Sequence, residues 1–596
     1  MLTRCSRLRA ALIDRVMFMS HAMQYKVLAA LCATSLLGAC AGVPETKQPA
    51  PDPRPTIARE TKRPEPPKQA LTDQVLYEIL LAEIAMQRGD AQLAVRAYLD
   101  LMQQTQDYRI AERATQLALN ARLADESLLA AERWLVLEPE SIGARQTLAG
   151  VLVTQGKLKE ARPHLEKILA AEEANLGYGF LHLNNLLARH SNKVATLNLV
   201  QDLARDYPQL PEAHFAVARA AWSAGEKDLA VKASTDGLAL RPNWEGAALF
   251  KAQVLHSIST ATAIEYYTAY LREFPQSREM RLSYARLLVQ EKQFGPAREE
   301  FKRLAADFPN NPEVPLAIGL ISMQLREYDA AETYLGQALA AGVKDDDAVR
   351  FYLGQLSEER KRWDDAKRWY EAVTGSQAFA AKVRIAGVMA RQGDLPEARK
   401  YLQQIAVTTN QQRAQVAAAE SSLLRDAKLL KEAFDVLNKA LEKLPNHPEL
   451  LYDHAMAAEK IDRIDVMESS LKKLIQVKPD HAHAYNALGY TLADRTTRYE
   501  EAKQLLEQAV KLAPDDPFIL DSMGWLQYRM KDYTQAINTL RQALSVRADP
   551  EIAAHLGEVL WAAGQKDEAQ KVWDSALKDN PGHEALTGTV HKFKTK

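Results

Sequence analysis

Residues 486–516 read NALGYTLADRTTRYEEAKQLLEQAVKLAPDD, and residues 521–550 read DSMGWLQYRMKDYTQAINTLRQALSVRADP. Each stretch holds two apolar patterns recurring at i, i+3, i+4 and i+7, the spacing of an amphipathic helix, parted by a short polar turn. Small residues, Gly489 and Ala502 in the first stretch and Gly524 and Ala536 in the second, sit where the two helices must approach closely. One such pair cannot bury its apolar face alone, so the fold depends on whether the pair repeats.

The pattern recurs along most of the chain. Aligning the small residue that opens each second helix gives Ala94, Ser127, Ala161, Thr196, Ala230, Ala263, Ala297, Ala331, Ala366, Ala398, Ala433, Met467, Ala502, Ala536 and Ala569, with successive gaps of 32 to 35 residues. Leu-Gly or Leu-Ala lies about twelve residues before many of these anchors, and an aromatic residue or leucine four after. Pro242, Pro275, Pro309, Pro445, Pro479, Pro514 and Pro581 lie twelve after. This period and these words resemble the tetratricopeptide repeat (TPR), over about residues 71–581. The expected fold is all-α, a TPR α-solenoid: about fifteen hairpins stacked into a right-handed superhelix, each second helix stopped by proline. The units near Ser127 and Thr196 lack the Gly and Ala anchors, so their boundaries are the least defined. Residues 582–596 read as a polar C-terminal cap or tail.

Composition agrees with a helical body. The 596 residues include only 25 Gly and 26 Pro, and 76 basic residues nearly cancel 77 acidic ones, a net charge of −1. No domain-sized basic stripe is present, so nucleic acid is not an expected partner. The three cysteines, Cys5, Cys32 and Cys40, all lie in the first forty residues, leaving the repeats without a disulfide, thiolate zinc site or cysteine nucleophile.

The N-terminus is a targeting segment. VLAALCATSLLGA, residues 27–39 behind Lys26, has the length of a signal-peptide core and falls short of the roughly 20 residues that span a bilayer. Leu37-Gly38-Ala39-Cys40 resembles the bacterial lipoprotein lipobox, which implies that residues 1–39 are removed and Cys40 is lipidated. Residues 1–22 read as an upstream start-site extension before Met23. Ala41, where the inner-membrane retention rule wants Asp, implies the outer membrane with the protein on its periplasmic side. Residues 41–70 hold eight prolines, so with Cys40 they form a tether reaching up to roughly 90 Å at ~3.1 Å per residue.

Chemistry-bearing patterns are scarce. GxxxxGK[ST], GxGxxG, HExxH and GxSxG are all missing, so neither catalysis nor a cofactor is expected. His481 and His483 are two residues apart, which points their rings to different helix faces, and they read as solvated or capping side chains rather than metal ligands. Glu299-Glu300, Asp345-Asp346-Asp347 and Asp364-Asp365 read as solvated helix starts and turns, where negative charge is favourable.

In TPR proteins the concave face is lined by positions two, five, nine and twelve of each first helix. Mapped onto this chain, those slots hold His483, Asn486 and Tyr490, then Phe518, Asp521, Trp525 and Tyr528, then Glu558 and Trp561. Helical aromatics also serve as core, but the core slots here are separately filled by Leu488-Gly489, Met523-Gly524 and Leu556-Gly557. The set therefore reads either as core, the commoner use of helical aromatics, or as an aromatic protein-binding groove from which Trp525 and Tyr528 could be removed with helical content intact. Phe215, Arg219 and Trp222, followed by Arg286, Leu316, Leu320, Met323 and Phe351, form a second set for which core packing is the stronger reading.

The words LDSMGW at 520–525 and HLGEVLW at 555–561 resemble the large TPR lipoproteins of Gram-negative outer membranes, including the LbcA-type adaptors of the periplasmic carboxyl-terminal processing protease. The resemblance implies a non-catalytic scaffold that tethers and activates that serine protease and delivers substrates such as peptidoglycan hydrolases. A scaffold for polysaccharide export or outer-membrane assembly is the alternative.

Overall fold

In the computed structural model the described residues are 65–67, 70–171, 176–188, 190–309 and 311–594; the expected export segment, Cys40 and most of the expected tether lie outside them. Thirty-one helices run from Asp73–Gln87 to Glu584–Lys594, with no strand among the described residues. They form fifteen successive pairs and one closing helix, the number the sequence period predicts. Two compact units divide the chain between Pro309 and Asn310. The first holds seven pairs and the second eight.

The fifteen anchors explain the pairing. Every one, from Ala94 to Ala569, is buried, with 0–6% of its surface exposed. Where a polar residue replaces alanine, its hydroxyl is satisfied inside its own helix: Ser127 Oγ donates to the Leu123 carbonyl at 2.6 Å, and Thr196 Oγ1 to that of Asn192 at 3.0 Å. The residue four after the anchor fills the space over a small residue of the first helix. A methyl group added to Gly524 would stand 2.6 Å from Leu540, and one added to Gly354 2.5 Å from Tyr370. Gly489 and Leu506, and Gly557 and Trp573, are related in the same way.

Turns and stops are equally local. Twelve pairs turn through one residue of positive φ, which is glycine at Gly89, Gly156, Gly225, Gly393 and Gly564 and mostly lysine or arginine elsewhere. All seven prolines sit two residues beyond the end of a second helix; Leu240, Glu273, Asp307, Lys443, Val477, Leu512 and Asp579 are the last helical residues. The intervening residue is pushed out of the helical region by the proline ring, as at Lys478, with φ −137° and ψ 81°.

The fourth pair, Leu176–Leu187 and Lys193–Ala204, departs from this plan. Its first helix packs chiefly on Pro211–Ala224 rather than on the helix that follows it. Five residues part its helices where one to three suffice in every other pair. Asn184 occupies the slot that Gly or Ala fills in most pairs and is buried there.

Ion pairs link consecutive pairs within the second unit. Arg498 reaches back to Glu468 at 2.8 Å and, with Lys472, holds that carboxyl down to about 2. Glu358 is buried and receives Tyr370 Oη at 2.5 Å, Arg384 at 2.8 Å and Arg391. Glu300, expected in solvent, is instead buried between Arg281 at 2.6 Å and Arg303 at 2.7 Å, because its helix turns that side onto the preceding helix.

Candidate protein-binding face

The expected groove belongs to the last three hairpins: Ala482–Arg495 with Tyr499–Leu512, Pro517–Arg529 with Tyr533–Val546, and Pro550–Ala562 with Lys566–Asp579. Each first helix starts on a side-chain cap. His481 Nδ1 accepts from Ala484 N at 3.1 Å, Asp516 from Phe518 N and Ile519 N at 2.9 and 3.1 Å, and Asp549 from Glu551 N at 2.9 Å. Pro517 and Pro550 preset the first helical turn. His481 is thus the capping histidine the sequence indicated.

The inner positions are more heavily engaged than the sequence suggests. Trp525 is only 4% exposed: its ring stacks on His555 at 4.5 Å and its Nε1 donates to Asp494 Oδ1 at 3.2 Å. Asp521 is buried and lies 2.8 and 2.9 Å from His555 Nδ1. Glu558 is buried and pairs with Lys592 of the closing helix at 3.0 Å. These three side chains therefore do not stand open in a groove; neighbouring first helices lie close enough to use them as mutual packing. Trp525, placed by the sequence in an open groove, is a packing residue.

The remaining candidates are half-buried. Tyr528 packs against Trp525 at 5.1 Å and Tyr533 at 6.0 Å, and Phe518 lies under Arg547 at 5.1 Å. Trp561 contacts Trp573 at 5.7 Å and Phe593 at 6.0 Å, with Lys566 over its ring at 5.1 Å. His483 Nε2 is 3.8 Å from Asp516, and Tyr490 shares its helix face with Asn486, whose buried Oδ1 has no hydrogen-bond partner. What reaches solvent is a set of aromatic edges beside Arg547 and Lys566, with polar groups between them. Such a surface suits protein segments, since aromatic and arginine side chains concentrate interface energy.

In the first unit Phe215 packs at 4.9 Å on Trp244 and edge-on at 5.4 Å to Phe250, and Trp222 packs against a buried cluster that includes Ala216 and Val254. Arg219 is half-buried. Two guanidinium nitrogens of Arg286 are buried without a hydrogen-bond partner. Leu316 and Leu320 are core, each 4% exposed, while Met323 and Phe351 are half-buried.

The sequence reading missed the partners: His555, Asp494 and Lys592. Asp521 and His555, like Glu558 and Lys592, are 34 residues apart, one repeat period. A search for complementary residues one period apart would have found both pairs. Among the described residues there is no group of three or more His, Cys, Asp or Glu placed to hold a metal, and no helix long and apolar enough to cross a membrane.

Helical hairpins at a 34-residue period with buried small anchors define an all-α repeat scaffold. Residues 259–318 and 527–588 match one tetratricopeptide-repeat family model, 316–381 a second and 482–516 a third. A TPR repeat-containing protein of Pseudomonas aeruginosa is 32% identical over 534 residues, 89% of this chain and 90% of its own. The chain belongs to the tetratricopeptide-repeat proteins. Among solved structures, yeast Tom70 is similar with a TM-score of 0.36 and 15% identity, covering 71% of this chain and 96% of that one. A thermophilic TPR protein of Thermus thermophilus aligns at a TM-score of 0.27 and 23% identity over 29% of this chain and 95% of its own.

Proposed function

We propose that this TPR protein is a periplasmic scaffold anchored in the outer membrane by lipid on Cys40, and that it serves as an adaptor and activator of a carboxyl-terminal processing serine protease. Its substrates would be wall-degrading enzymes such as peptidoglycan hydrolases, and the catalytic residues would belong to the protease. The observation that carries the reading is the placement of a lipobox-like Leu37-Gly38-Ala39-Cys40 and a proline-rich tether before an uninterrupted repeat array. The half-buried aromatic side chains of the last three hairpins, with Arg547 and the exposed Lys566 beside them, supply a surface for a protein partner.

The physical device is effective concentration. An anchor and a tether of up to roughly 90 Å confine bound protease and substrate to one membrane face, which raises their encounter rate without new chemistry. The test is isolation of the tagged protein from its own host, with bound proteins identified by mass spectrometry. Recovery of a carboxyl-terminal processing protease with cell-wall hydrolases supports the adaptor role. Recovery of polysaccharide-export or outer-membrane assembly machinery in its place overturns it. Loss of membrane association in Cys40→Ser tests the anchor separately.

A further inference from the structure

The two ends of the repeat array are finished differently. At the C-terminal end, Glu584–Lys594 covers the last hairpin, burying Leu586 and Val590 and placing Phe593 5.8 Å from Trp573. A closing helix is what a solenoid requires, because each repeat is stabilised by its neighbours and the last has only one. At the other end the first described helix, Asp73–Gln87, buries Ala82 and Ala85 on one side, and among the described residues nothing covers the opposite side. Leu76, Tyr77, Leu80 and Ile84 are 43%, 64%, 51% and 47% exposed. They fall on one stripe of the helix, at i, i+1, i+4 and i+8. Exposed large apolar residues elsewhere lie singly, mostly at helix ends, whereas these four are contiguous.

The stripe carries its own complement. It begins at Asp73 and ends at Arg88, and among the described residues neither is ion-paired. The other two charges of this helix are engaged within the chain, Glu83 by Tyr98 at 2.6 Å and by Arg113, and Glu78 by Gln104 at 3.1 Å. Leu76 and Ile84 lie symmetrically about Leu80, four residues to either side. We propose that this face pairs with the same face of a second copy of the chain, the two helices antiparallel about a two-fold axis at Leu80. Leu80 then meets Leu80 of the second copy, Leu76 meets Ile84, and Asp73 at the start of one helix lies beside Arg88 at the end of the other. Antiparallel packing also sets the helix dipoles favourably, whereas parallel packing would place Asp73 against Asp73. The three acidic side chains of the helix oppose contact with an anionic lipid surface.

A helix of this length spans about 22 Å, so the interface is at the small end of stable contacts, below about 1,200 Å². The dimer is therefore weak in dilute solution and is favoured where copies are concentrated. The proposal is independent of the adaptor reading.

The test uses the full chain with Cys5, Cys32 and Cys40 changed to Ser, so that any introduced cysteine is unique. Under mild oxidation or with a short bismaleimide, Leu80→Cys should cross-link to itself. Leu76→Cys should not, but should cross-link when mixed with Ile84→Cys. Leu80→Asp should lower the dimer fraction in sedimentation at least tenfold with an unchanged circular-dichroism spectrum, since Leu80 is exposed in the monomer. Absence of the Leu80 cross-link in a folded protein overturns the proposal, as does self-cross-linking of Leu76→Cys as efficient as that of Leu80→Cys, which would mean parallel pairing.

Discussion

The fourteenth hairpin and the fourth helix pair occupy equivalent places in the period and pack by opposite means. In the fourteenth, Gly524 clears the way for Leu540, and the two helices close on each other through a three-residue turn. In the fourth, Asn184 stands in the glycine slot, the connection lengthens to five residues, and the first helix takes Pro211–Ala224 as its main neighbour. At the closest approach the fourteenth pair carries only hydrogen and the fourth a buried amide, a difference that counts in interiors packed at crystal-like density. The repeat therefore persists in sequence at positions where its packing does not.

That difference can be broken most forcefully from the intact side. Trp525→Ala removes a ring that bridges three first helices through His555 and Asp494, and should cost about 4 kcal/mol. Amide hydrogen exchange over 482–562 reads the loss locally, which suits an array of repeats whose unfolding is not all-or-none. Protection unchanged by the substitution would return Trp525 to the open face that the sequence suggested.

Gly524→Asn imports the fourth pair's residue into the fourteenth. The new Cβ would stand 2.6 Å from Leu540, and overpacking of this kind should cost about 3 kcal/mol. Leu540→Ala in the same chain should recover part of the loss by making room. Failure of the second change to help would mean that the helix spacing is set elsewhere.

A titratable group sharpens the comparison. His454, in the helix Pro448–Lys460, is buried, donates to or accepts from Ser470 Oγ at 2.9 Å through Nδ1, and has no partner for Nε2. Burial pushes its imidazole down to about 4 from 6.5. The unfolded chain takes up the proton first, so this hairpin keeps full stability above pH 6.5. It then loses stability as the pH falls toward 4, by at most about 3 kcal/mol. Exchange rates over 448–477 should rise across that window, and His454→Leu should flatten the dependence. A pH-independent rate in the parent chain would exclude the imidazole as its cause.

The smallest effect lies on the irregular side. Asn184 Nδ2 is buried without a hydrogen-bond partner, so Asn184→Ala removes an unsatisfied donor and should stabilise residues 176–204 by about 1 kcal/mol. Thermal melting with local exchange checks it, and a loss of stability would show that the amide supports packing through its oxygen.

Much of this was legible from residue order. The anchors from Ala94 to Ala569 located all fifteen pairs, and the seven prolines marked helix ends to within two residues, because both signals act through local backbone geometry and nearest-neighbour contact. The departure near Thr196 was visible as a missing small residue, though not its consequence, a change of packing partner. At the candidate face the sequence named the positions, but not how far each is engaged by its neighbours. Exposure depends on what the next repeat places opposite, and Trp525 and Asp521 meet His555, while Glu558 meets Lys592.

The sequence by itself determined the class, the period and the helix ends that seven prolines set, since each is written in spacings no longer than one repeat. Only the tertiary structure decided which inner side chains remain open, that Glu300 and Glu358 are buried inside ion-pair clusters, and that the first described helix keeps an apolar stripe no described residue covers while the last hairpin is covered. Those properties depend on distances between residues some thirty positions apart, which local pattern does not encode and packing sets.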